Sequence, residues 1–242
     1  MDRRRTMMGA LAVTLVALAS GPAMPAGIRT ALAAPERIGI IGTGRIGSAL
    51  ARHWAKAGHE LMLSSRHPEE LQALAAELGP RVRVGTPQQA AAFGQVIFVA
   101  IPYAAMPQVG NDISKELAGK VIIDASNPIE RRDGAMALDA QKQGAGVASA
   151  ALLHSKRIVR AFNCIGFALI ASDAFRQPQR RVIPIGGDDA AAIQVATRLV
   201  NEAGFDVFVI PSLARTQLFD LGQPLASKDW TVAQYQAELA KL

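Results

Sequence analysis

Two periods of hydrophobic and polar residues take turns along this chain from residue 36 onward. Short apolar runs rich in β-branched residues occupy 38–41, 60–64, 81–84, 95–100, 120–124, 157–162, 181–185 and 205–210. Runs of this length, bounded by Gly, Pro, Asn and Asp, read as strands. Between them the apolar positions recur at helical spacing. Ile46, Leu50 and Trp54 share one face of a helix that Gly58 closes, and Leu71, Leu74 and Leu78 share a face over 68–78. Further helices are predicted over 106–117, 147–153 and 190–203, the last capped by Asp188, with a helical tail from Pro211. Thr86-Pro87 opens a short helix, Pro being suited to the first helical position. The run Gln-Val-Ile-Phe-Val-Ala at 95–100 has no polar alternation, as expected of a strand covered on both faces of a parallel sheet. Residues 130–146 are polar and Gly-rich without a period, and read as an excursion or flexible loop.

The first strand ends in glycines spaced G-x-G-x-x-G at Gly42, Gly44 and Gly47, with the helical pattern starting directly behind. Strand, glycine turn, helix and second strand together make a dinucleotide-binding βαβ unit. Gly42 permits the tight turn, Gly44 lets backbone approach a pyrophosphate, and Gly47 lets the helix lie close on the sheet. The helix N-terminus then stabilises the anion. Gly42, Thr43, Gly44, Arg45, Ile46 and Gly47 are therefore candidate cofactor contacts. The alternation of strands and helices predicts an α/β, Rossmann-type doubly wound, mainly parallel sheet of about eight strands. The expected organisation is a Rossmann domain over 34–155 and a small C-terminal α/β extension over 156–242 that completes an acceptor cleft.

The second strand ends in Ser64-Ser65-Arg66-His67-Pro68, where an acidic residue would hydrogen-bond the ribose 2′-OH of NAD. Ser65 and Arg66 offer a 2′-phosphate a hydroxyl and a fork of charged donors instead, so NADP is the expected cofactor. Ile101, Pro102 and Tyr103 form the loop after the fourth strand, at the carboxyl edge where ligands bind in such sheets. Tyr103 either stacks on a ring or covers a helix. Asn127, after the fifth strand, offers an amide to the nicotinamide end or makes an Asx-turn before Pro128. No acid–base pair stands out. Of four histidines, only His154, before the sixth strand, is placed as a candidate to line a ring cleft, with a surface or capping role as its alternative.

Composition narrows the picture. The 242 residues are 50% hydrophobic and 19% charged, enough for one large domain with an appendage. A formal charge of +6 includes Arg3, Arg4, Arg5 and Arg29, and the rest is too mild and scattered for a nucleic-acid partner. The single cysteine, Cys164, excludes an internal disulfide and a Cys-rich metal site, and is expected to pack as a small apolar residue. Residues 1–33 read as an export signal with a charged start, an apolar core over 11–19 too short to span a bilayer, and an Ala31-Leu32-Ala33 cleavage signal. Arg4-Arg5-Thr6-Met7-Met8 resembles a twin-arginine signal, with an ordinary Sec signal as the competing route. The expectation is a periplasmic or secreted protein with no stable membrane span after cleavage.

The residues quoted so far resemble the coenzyme F420-dependent NADP reductases and related NADP-binding oxidoreductase domains, including those of membrane ferric reductases. The likeness covers roughly 36–225. It rests on Ile-Gly-Ile-Ile-Gly-Thr-Gly-Arg-Ile-Gly at 38–47, Ser65-Arg66, and Val-Ala-Ile-Pro-Tyr at 99–103. It also rests on Lys-Val-Ile-Ile-Asp-Ala-Ser-Asn-Pro at 120–128, Arg-Ala-Phe-Asn at 160–163, Ile-Gly-Gly-Asp-Asp at 185–189 and Ala-Gly-Phe-Asp at 203–206. The resemblance implies hydride transfer between NADPH and a flavin-type ring (F420, FMN or FAD) or another small acceptor. It departs from the family pattern in placing Glu69 and Glu70 where another basic residue often follows Ser-Arg. A non-catalytic, exported NADP-binding protein is the alternative, and a homodimer is left open. An imine or hydroxyacid reductase would need a long helical second half, whereas only residues 164–242 follow Asn163, with strands among them.

Overall fold

In the computed structural model, which describes residues 34–242, the strands pair into one eight-stranded sheet. Chain order in its first half is β1 (Arg37–Ile41), α1 (Arg45–Lys56), β2 (Glu60–Ser64), α2 (Gln72–Leu78), β3 (Val82–Gly85), α3 (Pro87–Phe93) and β4 (Val96–Val99). Then come α4 (Met106–Asp112), α5 (Ser114–Leu117), β5 (Val121–Asp124), α6 (Glu130–Asp133), α7 (Ala135–Gln143), α8 (Ala145–Leu152) and β6 (Ile158–Arg160). The chain ends with α9 (Phe167–Ser172), β7 (Val182–Gly187), α10 (Ala190–Glu202), β8 (Asp206–Ile210) and α11 (Val232–Leu239). The strand order is β3-β2-β1-β4-β5-β6-β7-β8. All pairings are parallel except β6 with β7, where Val159 faces Gly187 and Arg160 faces Gly186. Residues 35–242 form one compact unit, and one sheet takes strands from both sides of the loop at residues 155 and 156. The export signal proposed for 1–33 lies outside the described residues.

Period-2 alternation sends side chains of the central strands to two cores. Ile38 and Ile40 of β1 join Leu50 and Trp54 of α1, Phe98, Phe162 and Phe205 on one face. Ile41, Ile97, Val99 and Ile122 pack on the other face with Met106 and Leu153. Trp54 is fully buried, stands edge-on to Phe98 at 5.2 Å, and donates its indole N–H to Leu199 O at 2.9 Å. That bond ties α1 to α10 across residues far apart in the chain. A third apolar cluster fastens the C-terminal segment: Tyr235 of α11 stacks on Phe208 of β8 at 5.2 Å, beside Phe219 and Leu225. Cys164 belongs to this cluster, and burial pushes its thiol up to about 11, so it packs as a small apolar residue.

Four expectations are corrected. Residues 130–146 are helical, broken into α6, α7 and α8 by Gly134 (φ 65°) and Gly144 (φ 87°). Ala137 and Ala140 bury their small faces, so tertiary packing supplies what amphipathic periodicity does not. The cap of α10 is Asp189, which accepts from Ala192 N at 2.7 Å, while Asp188 accepts from Leu213 N at 2.7 Å. The expected helix over 68–78 begins as a 3₁₀ turn at Pro68–Leu71, and that over 106–117 divides between α4 and α5. The short helix α9 was not expected; six residues are too few to declare a period.

Candidate active site

The parallel strands β1, β2, β4, β5 and β6 bring their carboxyl ends to one edge, and the neighbours of β1 there are β2 and β4. Chain direction reverses its progress across the sheet at β1, which makes the crevice above β1 and β4 the place for a ligand. Gly42 has φ 95°, and a Cβ there would lie 2.5 Å from Ala100 O. A Cβ on Gly47 would lie 2.3 Å from Gly42 O, so α1 rests directly on the turn. A Cβ on Gly44 would meet nothing within 4 Å. The space beside Gly44 is therefore open at the start of α1, where no side chain caps the helix and no acidic residue lies in the first turn. The amides of a first helical turn lack intrahelical acceptors, so this is an anion cradle of the right kind for a pyrophosphate.

Not every residue of the turn offers a donor. Gly42 N and Thr43 N both donate to Ser64 O, at 3.1 and 2.9 Å, and Thr43 is buried with its hydroxyl also on Ser64 O. These two residues brace the turn against β2, leaving Gly44, Arg45, Ile46 and Gly47 to face a ligand. Arg45 is exposed, and its guanidinium sits 5.1 Å from the centre of the Phe167 ring, reaching across from α1 to α9.

Ser65 and Arg66 follow β2 on the same edge. Ser65 Oγ accepts from His67 N at 3.0 Å, which leaves its O–H free to donate. Arg66 is exposed and has no ion-pair partner among the described residues; Glu69 pairs with His67 at 3.4 Å instead. The acidic residues that depart from the family pattern thus leave the Arg66 fork unengaged. Serine hydroxyl, free guanidinium and open glycine cradle fit a phosphorylated dinucleotide.

The loops after β4 and β5 contain the remaining candidates, and here the structure redistributes roles. Ile101 is half-buried, its N–H donating to Ser126 Oγ at 3.3 Å, and Pro102 is exposed. Tyr103 is fully buried: it donates to Ala145 O at 3.1 Å and accepts from Ser149 Oγ at 3.2 Å. Burial pushes its phenol up to about 12, and the ring covers the helix rather than facing a cofactor. Asn127 makes no Asx-turn. Its Nδ2 donates to Asn163 O at 2.7 Å, and its Oδ1 is buried without a partner, so the amide has an unused acceptor to offer. His154 precedes β6 and so lies at the amino edge of the sheet, opposite the glycine turn. It is exposed, with Nε2 3.1 Å from Asn111 Oδ1, and cannot line a cleft at the carboxyl edge.

The dominant group at the β5–β6 end is one that sequence reasoning did not single out. Arg160 is fully buried and bonds Asp124 Oδ2 at 2.7 Å, Ser126 O at 2.6 Å and Asp220 Oδ1 at 3.0 Å. Burial alone would lower its pKa, but the two carboxylates outweigh that and the net shift is upward, so the guanidinium stays charged. Asn163, also buried, donates to Phe219 O and Asp220 Oδ1 and leaves its own Oδ1 unpaired. A signal for this network was present: an Arg inside the apolar run 158–162 demands a charged partner. Its partners lie 36 and 60 residues away, beyond any local pattern.

Asp133 closes the seam between these loops, with its carboxylate accepting from Ala104 N at 3.2 Å, Ile129 N at 2.9 Å and the Arg132 guanidinium at 2.8 Å. Burial would raise its pKa, but these donors overcome it and hold the carboxyl below the usual range.

Comparison with known proteins agrees with this geometry. Residues 37–128 match the family described as NADP oxidoreductase coenzyme F420-dependent. The chain is 28% identical over 179 residues to the F420-dependent NADP reductase of Methanothermobacter thermautotrophicus, covering 69% of this chain and 76% of that one. It is 29% identical over 182 residues to the rat metalloreductase STEAP3, covering 74% of this chain but only 34% of the relative, so it spans about a third of that protein's length. Among solved structures, the hypothetical protein SMa0349 of Sinorhizobium meliloti superposes with a TM-score of 0.68 at 25% identity, over 81% of this chain and 95% of that one. The glycine turn and the mostly parallel sheet that carries it make a Rossmann-like NADP-binding fold, and over residues 37–128 the chain is similar to the F420-dependent NADP oxidoreductases.

Proposed function

We propose that this protein is an NADP-dependent oxidoreductase that passes hydride between NADPH and a small acceptor bound at the carboxyl edge of the sheet. The single observation that carries the reading is the open cradle at Gly44, next to an uncapped helix start and an unpaired Arg66 on the neighbouring strand end. Bound NADPH would supply the hydride. The first-turn amides of α1 would hold its pyrophosphate, and Ser65 with Arg66 would hold the 2′-phosphate. Held so, the adenosine would lie over β2 and the nicotinamide toward β4 and β5.

The acceptor named by the resemblance is a flavin-type ring: F420, or a free flavin such as FMN or FAD. Hydride transfer between stacked rings depends on orientation more than on a proton donor. The titratable groups next to the cleft, Asp124, Arg160 and Asp220, are bonded to one another, which suits a positioning role. The test mixes purified protein and NADPH with FMN, FAD, F420 and a ferric chelate in turn. Loss of the reduced-nicotinamide absorbance with at least one acceptor is expected. Tight NADPH binding with no consumption by any acceptor would instead identify a non-catalytic NADP-binding protein.

We also infer export by the twin-arginine route, on the strength of Arg4-Arg5 and the Ala31-Leu32-Ala33 cleavage signal. A cofactor-dependent protein is best folded and loaded where the cofactor is made. Replacing Arg4-Arg5 by Lys-Lys should retain the protein in the cytoplasm of a host with a twin-arginine translocase. Unchanged export of that variant would assign the signal to the Sec route.

A further inference from the structure

Beside Asn127, the carboxyl edge contains a cavity of about 140 Å³ whose wall carries a carboxylate and several unpaired amide oxygens. Asn127, Pro128, Gln141, Gln217, Asp220 and Gln223 line it. A primary amide has a donating and an accepting end, and three of these side chains have the donating end tied back into the protein. Asn127 Nδ2 donates to Asn163 O at 2.7 Å, Gln141 Nε2 to Pro128 O at 2.9 Å, and Gln217 Nε2 to Gln141 O at 3.1 Å. Turning any of them over would set oxygen against oxygen, so the bonds define their orientation. Each is left with a carbonyl oxygen that has no protein donor, beside the second N–H of its amide. That of Asn127 is buried with no donor, a condition that calls for a ligand or an ordered water.

Charge points the same way. Asp220 adds a carboxylate to the wall, and the only cation bonded to it among the described residues, Arg160, is shared with Asp124. One negative charge is left uncompensated in that buried trio. The nearby Arg132 donates to Asn127 O but is paired with Asp133, so it brings no free positive charge. A phosphate or carboxylate placed here would meet acceptors and like charge. A group with several N–H donors and a positive charge meets the opposite.

We propose that this cavity receives the polar end of the second substrate as a protonated nitrogen, a primary ammonium or an amidinium on a small molecule. The inference rests on the proposed function, in which the nicotinamide lies over β4 and β5, and it names the acceptor's polar end at that same site. Among flavin-type acceptors it favours a ring with a cationic or neutral side chain, and the phosphate that F420, FMN and FAD carry would have to lie outside this cavity.

The test titrates the NADP⁺-loaded protein with n-propylammonium, propanamide and propanoate in a calorimeter. Ammonium is expected to bind about tenfold more tightly than propanoate, the ratio set by one charge-assisted hydrogen bond, with the amide between. Gln217→Lys, which sets a cation into the wall at a half-buried position, should lose the ammonium by about tenfold. Its unfolding midpoint checks that the fold is kept. Equal or tighter binding of propanoate, no binding of any probe, or an unaffected folded Gln217→Lys overturns the proposal.

A second arm separates this inference from the reading beneath it. Three isoalloxazines with an aminoalkyl, a hydroxyalkyl and a phosphoalkyl tail are offered with NADPH, and KM should rise in that order. Ammonium binding without NADPH consumption upholds the cavity and overturns the hydride-transfer reading. NADPH consumption with the phosphate tail preferred upholds hydride transfer and overturns the cavity.

Discussion

The carboxyl edge of the sheet is built in two different ways on either side of β4. On the β1–β2 side the site is backbone: an open glycine turn, an uncapped helix start, and two side chains, Ser65 and Arg66, that point donors outward. On the β5–β6 side it is side chain: a buried guanidinium between two carboxylates, and two asparagines whose oxygens have no partner. One half presents donors to anions and the other presents acceptors. A molecule with phosphates at one end and a ring at the other would be read twice, by opposite polarity. The difference also separates binding from stability. Gly44 and Arg45 of the glycine turn are exposed, and Gly44 has room for a side chain, whereas the Arg160 network holds the second half together.

The largest expected effect tests that division directly. Arg160→Met leaves Asp124 and Asp220 buried without their cation and should destabilise the protein by about 3–5 kcal/mol in denaturant unfolding. A loss below about 1 kcal/mol, the range of an exposed ion pair, would show that the network is not a structural support. Asp133→Asn comes next, at about 2 kcal/mol near neutral pH, since it weakens charge-assisted bonds to Arg132 and two amides. The folded-state pKa of Asp133 is depressed, so the stability it contributes is present above its unfolded value of about 4 and is lost as pH falls through the folded value. The gap between wild type and Asp133→Asn in urea unfolding should therefore shrink on acidification. A gap that widens would mean the carboxyl is held protonated.

Two smaller effects probe the donor side. Arg66→Glu should weaken NADPH by roughly ten- to a hundredfold, the loss of a charge-assisted contact, and leave NADH nearly unchanged in a fluorescence titration. Equal loss for both would remove Arg66 from the 2′-phosphate. Gly44→Ala should leave stability within about 0.5 kcal/mol, because its methyl meets open space in the free protein. The same methyl would occupy the pyrophosphate's approach and should reduce NADPH affinity by about tenfold. If stability falls and affinity does not, the open space beside Gly44 is not a ligand cradle.

The reading of the sequence succeeded and failed along the same line that divides the site. Strands β1 and β2 and helix α1 were legible because strand, turn and helix follow one another within a few residues. The run at 95–100 was legible because continuous apolarity is itself the mark of a strand buried on both faces. Helices α6 to α8 were not, since Ala137 and Ala140 carry too little hydrophobic contrast and Gly134 and Gly144 interrupt any period. Tyr103 was left open between ring-stacking and packing, and the turn of α8 beneath it decided for packing through Ala145 and Ser149. His154 was misplaced because a position just before a strand was treated as if it lay at the ligand edge.

By itself, then, the order of residues determined the alternation of strands and helices, the glycine turn and the place of Ser65-Arg66 beside it, because each depends on contacts within a short segment. Only the tertiary structure decided which way Asn127 turns its amide, and that Arg160 is claimed by Asp124 and Asp220. Hydrogen bonds and charges act over a few ångströms without regard to chain distance, and partners 36 and 60 residues apart meet only after the sheet has assembled.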